Sequence, residues 1–248
     1  MVTRQEFEKK LREEICNAAW ALNKSGMAFA LFANTRCNEE YWNRTSNGGW
    51  RLRSAGEITP ADAIRDIFKN GGLYATECAT AMGIVYYKAL CEVYGDDLFN
   101  KTFNSIYLMD WDIRDPLLMK VGHIERVTQL LPGDRAYFAN PDHSPELPQW
   151  QGENVIVLGD GMYYGHGIGA ADAERIIKSL NSRRRSGDNI RSAYLMDSAG
   201  RPDFDKLAAV AQSPDAVAVW NAFPPAVTSN RAEAKNGFKH IVGGKMFV

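Results

Sequence analysis

Apolar positions recur at helical spacing from the start of the chain. Phe7, Leu11, Ile15 and Leu22 fall near one face, and Thr3 with Glu6 forms a capping box, so a helix is predicted that ends around Ser25-Gly26. From Met27 to Leu52, short aromatic and apolar groups broken by Asn47-Gly48-Gly49 read as weak strands and loops. A second helix is expected from Thr59, with Pro60 at its first position and Asp62 in its first turn, stopping at Asn70-Gly71-Gly72. A third starts near Thr76. Its sequence, TECATAMGIVYYKALCEVYG, spaces Ala79, Met82, Tyr86, Leu90 and Val93 at intervals of three or four, which predicts a largely buried helix stopping at Gly95 with Cys78 in its first turn.

Strand-like segments follow: SIYLMDW, then RAYFAN after the turn Leu131-Pro132-Gly133-Asp134, then ENVIVLG and MYYGHGIG, the last two forming a hairpin across Gly-Asp-Gly. A charged amphipathic helix is predicted from roughly Ala171 to Arg185, then a short SAYLM strand and a helix near Phe204 to Ala211. Helices first and strands afterward argue for an α+β fold with the Cys78 helix laid against an antiparallel sheet, which is also the papain-like plan. The expected organisation is one catalytic domain over residues 1–220 and a Gly-, Lys- and Asn-rich C-terminal extension over residues 221–248.

Composition narrows the function classes. The 248 residues are 45% hydrophobic, enough for a sizeable core, and the formal charge of -1 points neither to nucleic acid nor to an anionic membrane. Cys16, Cys37, Cys78 and Cys91 show no CxxC pairing and no histidines at zinc-ligand spacing, so reduced thiols are expected. The N-terminus lacks the apolar core of a signal peptide, and no run is long and apolar enough to span a bilayer, so synthesis and residence inside the cell is the default expectation.

A thiol in the first turn of a helix gains at most about 2 kcal/mol of stabilisation as an anion. That lowers its pKa from about 8.5 by only about a unit, so a proton acceptor is needed nearby. Among His123, His143, His166 and His240, the best placed is His166, in Tyr164-Gly165-His166-Gly167 on the predicted hairpin. The competing reading of Cys78 is a small buried residue on a core helix. Cys16, Cys37 and Cys91 are read as structural. The run Arg183-Arg184-Arg185 reads as a solvated helix end, and GDGMYYGHGIG lacks the strand-to-helix order of a phosphate loop.

The segments GGLYATECATA, IYLMDW, PGDRAYFANP, QWQGENVIVLG, YYGHGIG and IIKSLNSRRRSG resemble, in order, those of the bacterial spore-coat protein-glutamine gamma-glutamyltransferases, from roughly Cys16 to Leu195. The resemblance implies a transglutaminase in which Cys78 attacks a glutamine carboxamide, releases ammonia and forms a thioester that a lysine amine resolves into an isopeptide cross-link. It implies no calcium and no organic cofactor. Asp110-Trp111-Asp112 also lacks the glycine and terminal glutamate of a calcium-binding loop. By the same resemblance the cysteine works with Glu153, the glutamate before it is Glu77, and His166 matches the family histidine.

A glutamate with a pKa near about 4.3 is a poor base for a thiol. Burial of Glu153, or repulsion from Glu77, would raise it into range. Trp111, Trp150, Tyr163 and Tyr164 are candidates to line a passage that keeps water from the thioester. The expected partners are proteins supplying glutamine and lysine side chains, spore-coat proteins among them, with the enzyme synthesised in the cytoplasm and placed at the coat surface. The competing expectations are a papain-like amidase or peptidase using Cys78 and His166, a glutamine deamidase, and a non-catalytic coat assembly protein. Residues 120–129 and the chain after about Leu195 depart from the family pattern.

Overall fold

A computed structural model of the chain describes residues 3–54, 58–113 and 115–213. The first helix, α1 (Arg4–Lys24), opens on the expected capping box: Thr3 Oγ1 accepts from the Glu6 N–H and the Glu6 carboxylate accepts from the Thr3 N–H. Three short strands follow, β1 (Ala28–Phe29), β2 (Trp42–Arg44) and β3 (Trp50–Leu52). Next comes α2 (Pro60–Lys69), capped by Thr59, whose side chain accepts from the Asp62 N–H. β4 (Ala75–Thr76) leads directly into α3 (Cys78–Tyr94), which stops at Gly95, where φ is 73°. After α4 (Asp96–Thr102) the chain runs through β5 (Tyr107–Leu108), β6 (Glu125–Arg126), β7 (Arg135–Ala139), β8 (Gly152–Gly159), β9 (Met162–Gly165) and β10 (Gly169–Asp172). It continues through α5 (Ala173–Asn181), β11 (Tyr194–Leu195), β12 (Ser198–Ala199) and α6 (Phe204–Gln212).

The main sheet is five-stranded and antiparallel, in the order β10-β9-β8-β7-β11. Alternation along its strands gives it two apolar faces. Ile156 and Tyr164 join the core built by Leu11 and Ile15 of α1 and by Tyr86 and Leu90 of α3. Ala136, Phe138, Val155 and Val157 join Ile176 and Leu180 of α5. The Cys78 helix therefore lies against an antiparallel sheet, as expected of an α+β, papain-like core. Among the described residues, no helix is long and apolar enough to cross a membrane.

The strand expectations were too long wherever the backbone turns. SIYLMDW pairs only at β5 because Asp110 has φ 48°, and SAYLM pairs only at β11. MYYGHGIG divides into β9 and the start of β10, with His166 in the turn between them. The helix expected from Ala171 begins at Ala173, because Asp172 caps it by accepting from the Arg175 N–H. The short α4 had no expectation of its own. The proposed boundary at residues 220 and 221 and the extension beyond it lie outside the described residues.

One buried charge fixes the approach to β7. Asp134 is fully buried and accepts from Arg12 Nη1 at 2.8 Å, from Arg201 Nε at 2.8 Å and Nη2 at 2.7 Å, and from the Leu131 N–H at 2.9 Å. It joins α1, the turn before β7 and the segment before α6. Removing one partner of a buried ion group leaves uncompensated charge. Asp134→Ala is expected to destabilise the fold by about 3 kcal/mol, measured by urea unfolding.

Candidate active site

The site is assembled where β4 passes into α3. β4 pairs in parallel with β1, Ala75 opposite Ala28 and Thr76 opposite Phe29. Glu77 follows as the N-cap, and its carboxylate accepts from the Ala79 N–H at 2.5 Å and the Thr80 N–H at 2.8 Å. Cys78 is the first residue of α3 and half-buried, and Asn154 Nδ2 on β8 donates to its Sγ at 3.3 Å. These partners correct the expectation that helix polarity favours the thiolate. The positive end of the helix is turned to Glu77, and the thiol pKa is pushed well up by burial, then by the charges of Glu153 and Glu77.

Glu153 is not at a sheet edge. It lies on the middle strand, opposite Phe138, and is only 3% exposed. Its Oε1 has no hydrogen-bond partner among the described residues. Gly165 makes the room for it, since a Cβ there would fall 2.8 Å from both Cγ and Oε1 of Glu153. Burial, then repulsion from Glu77, raises the Glu153 carboxyl well above the usual carboxylate range. Glu77 is also raised by burial, against hydrogen bonds from Thr80, Ala79 and Asp110. The structure therefore brings Glu77, Cys78 and Glu153 within electrostatic reach of one another.

Sequence reasoning missed a further acid. Asp110 donates its N–H to Thr80 Oγ1 at 2.7 Å, which ties the loop after β5 to the first turn of α3. Its Oδ1 is buried without a partner among the described residues, and burial followed by the charge of Glu77 raises its pKa to about 7. In the sequence, Asp110 stands in the motif IYLMDW and in a triplet that lacks the pattern of a calcium loop, and neither assigns it a role. Nothing local in it signals this role, because the placement depends on Thr80.

His166 is 4% exposed, and burial lowers its pKa from 6.5 to about 4. Its Nδ1 lies 3.1 Å from Tyr164 Oη and its Nε2 lies 3.1 Å from the Ala28 carbonyl oxygen. A neutral ring with the proton on Nε2 satisfies both contacts, accepting from Tyr164 and donating to Ala28. His166 thus ties the β9–β10 turn to β1, one strand from the segment that leads into Cys78. Of the four aromatics, Tyr164 is buried, Tyr163 meets Phe138 edge-on at 5.3 Å, Trp150 lies 3.6 Å beneath the Arg183 guanidinium and Trp111 lies 4.1 Å beneath Arg135. Arg183 is therefore stacked and not merely solvated.

The family model of the protein-glutamine gamma-glutamyltransferases matches residues 2–211. The chain is 45% identical over 197 residues to the protein-glutamine gamma-glutamyltransferase of Bacillus pumilus (strain SAFR-032), covering 79% of this chain and 77% of that one. It is 46% identical over 199 residues to the enzyme of the same description from Bacillus cereus (strain G9842), covering 79% of this chain and 69% of that one. Among solved structures, it is similar to a transglutaminase from Geobacillus stearothermophilus (without C-terminal extension), with a TM-score of 0.76, 45% identity, and coverage of 83% of this chain and 96% of that one.

Raised carboxyl pKa values have a cost in stability. A carboxyl whose folded pKa is raised stabilises the fold fully below its unfolded pKa, and that contribution is lost as pH rises through the folded value. Glu153→Gln removes one such group, so it is expected to be more stable than the parent by about 1 kcal/mol or more at about pH 8, with the difference closing toward about pH 4. Urea unfolding of the pair across that range measures it.

Proposed function

The chain belongs to the protein-glutamine gamma-glutamyltransferase family, and from that premise we propose that Cys78 is the nucleophile and Glu153 the group that exchanges its proton. The enzyme joins the side chains of protein glutamine and lysine residues as an isopeptide, through a cysteine thioester and with release of ammonia. The observation that carries the assignment of roles is the Cys78 thiol, held by Asn154 and set against two buried carboxylates.

In the proposed sequence, Sγ attacks the carboxamide carbon of the glutamine side chain as its proton passes to the Glu153 carboxylate. The oxyanion that forms is placed at the Cys78 backbone N–H and at the Asn154 side-chain amide, which donates to Cys78 Sγ before reaction. The proton on Glu153 moves to the departing nitrogen, the C–N bond breaks, and ammonia and a thioester remain. A lysine amine then attacks the thioester carbon and gives its proton to Glu153. The C–S bond breaks, the amide is complete, and the proton returns to Cys78. An acid raised by burial suits this exchange, because proton transfer is most effective when the pKa lies near the working pH.

Glu77 is proposed as an auxiliary acid that raises Glu153 by repulsion and caps the helix that carries the nucleophile. His166 is proposed as a fixed post that positions β1 against the site. This differs from its expected place among the bases, since its two nitrogens are engaged by Tyr164 and Ala28. Protein substrates follow from the family. Spore-coat proteins as those substrates, and the coat surface as the place of action, are proposed on the resemblance of the motifs alone. Calcium-independent activity is proposed on the same resemblance.

A glutamine donor peptide and a fluorescent amine test these roles directly. Cys78→Ala is expected to abolish labelling, Glu153→Gln to lower the transfer rate at least about 100-fold, and Glu77→Gln to lower it about tenfold. Chelation with EDTA should leave the rate unchanged. Equal labelling by the parent and Cys78→Ala overturns the cysteine assignment, and a full rate in Glu153→Gln removes that residue from its role. Mass spectrometry of a lysine protein incubated with the donor distinguishes cross-linking from deamidation, which adds about one mass unit and no link.

A further inference from the structure

Arg135 is the buried charged group that the proposed steps leave without a task. It opens β7 directly after the Asp134 clamp and is fully buried. None of Nε, Nη1 and Nη2 has a hydrogen-bond partner among the described residues. The guanidinium lies over the Trp111 ring, 4.1 Å from its centroid. A desolvated contact of this kind supplies about 2 kcal/mol, whereas burying an unpaired cation costs several. Stacking alone does not account for its burial.

Arg135 pairs with Ile156, and two residues along the same strands Tyr137 pairs with Asn154, so Arg135 shares the α3-facing side of the sheet with the Asn154 amide that donates to Cys78 Sγ. Cys78 and Tyr86 of α3, Tyr137 of β7 and Asp110 in the loop after β5 all bear on its charge. Arg135 in turn opposes the rise of the Asp110 pKa. Burial draws the Arg135 pKa down to about 10, which leaves it charged at neutral pH. Asp110 Oδ1 and the guanidinium nitrogens are each without a hydrogen-bond partner, so the two charges lie near each other without closing into a bonded pair. The guanidinium is left available to a third group.

We propose that Arg135 is a positioning residue for the acyl transfer, its guanidinium balancing the negative charge that develops on Cys78 Sγ and on the tetrahedral intermediate. The need for it follows from the neighbours of the thiol. A thiolate forming beside Glu153 and Glu77 adds negative charge to a water-poor site, and the first helical N–H groups are already engaged by Glu77. Arg135 supplies the opposing charge, and Trp111 fixes its plane. The inference rests on the assignment of Cys78 as nucleophile.

The test compares the parent with Arg135→Met, which keeps bulk and loses charge, and Arg135→Lys, which keeps charge. Folding of each is checked by circular dichroism, and alkylation of Cys78 by iodoacetamide is followed across about pH 6 to 10. Arg135→Met is expected to raise the alkylation midpoint by about one pH unit or more and to lower kcat at least about tenfold, with KM changed less than about twofold. Arg135→Lys is expected to hold the midpoint within about half a unit of the parent.

A folded Arg135→Met with an unchanged midpoint overturns the proposal and leaves Arg135 a packing partner of Trp111. Where Arg135→Met does not fold, Arg135→Lys decides: a midpoint within that half unit supports the proposal, and a rise of about one unit or more overturns it. Failure of the nucleophile assignment is distinguishable, because it shows as labelling retained in Cys78→Ala whatever the Arg135 variants do.

Discussion

Too much negative charge in too little water is the constraint on which the rest of the site depends. Glu77, Cys78, Glu153 and Asp110 are four acidic groups drawn into one buried region, and every one of them has its pKa raised, by burial first. They cannot all ionise together, so protons are retained and shared among them. The proposed proton exchange between the Cys78 thiol and the Glu153 carboxyl takes place inside that crowding. Burial raises the Cys78 thiol and the Glu153 carboxyl alike. The helix start does not pull the thiol down.

Holding such a cluster together requires a frame that does not yield. Glu153 stands on the middle strand of five, with Gly165 beside it giving the space its carboxyl needs. Cys78 and Glu77 stand at the start of a helix whose body is almost wholly buried. Asp110 is brought in by Thr80, and Arg135 by the turn that the Asp134 clamp fixes. The sheet is covered on both faces, by α1 and α3 on one side and α5 on the other. Repulsion inside the site is opposed by packing outside it, the usual relation between an active site and its scaffold.

Legibility in the sequence follows the range of the interactions. Caps and helix stops were readable because they are local: Thr3 with Glu6, Thr59 with Pro60, and Gly95 all mark ends that the structure keeps. The hairpin was readable from Gly159-Asp160-Gly161, where φ is 96°, 50° and 73°. The placement of Cys78 in the first turn of α3 also came from local pattern, although the helix opens at Cys78 and not near Thr76 because Glu77 caps it, and Glu77 and Glu153 came from the family motifs. Strand lengths were overestimated because pairing partners are distant in sequence. Asp110 and Arg135 were not legible at all. One depends on a hydrogen bond spanning 30 residues and the other on a stack with Trp111 and burial under α3.

The central claim is that the acyl group passes through a thioester on Cys78. The most direct measurement is intact mass and peptide mapping of the enzyme after brief incubation with a glutamine donor peptide and no amine. The account predicts an adduct on the Cys78 peptide weighing the donor less about 17 mass units, the ammonia lost, which disappears when a lysine amine is added. An adduct on Cys16, Cys37 or Cys91, or turnover with no adduct under conditions that trap one, would contradict it.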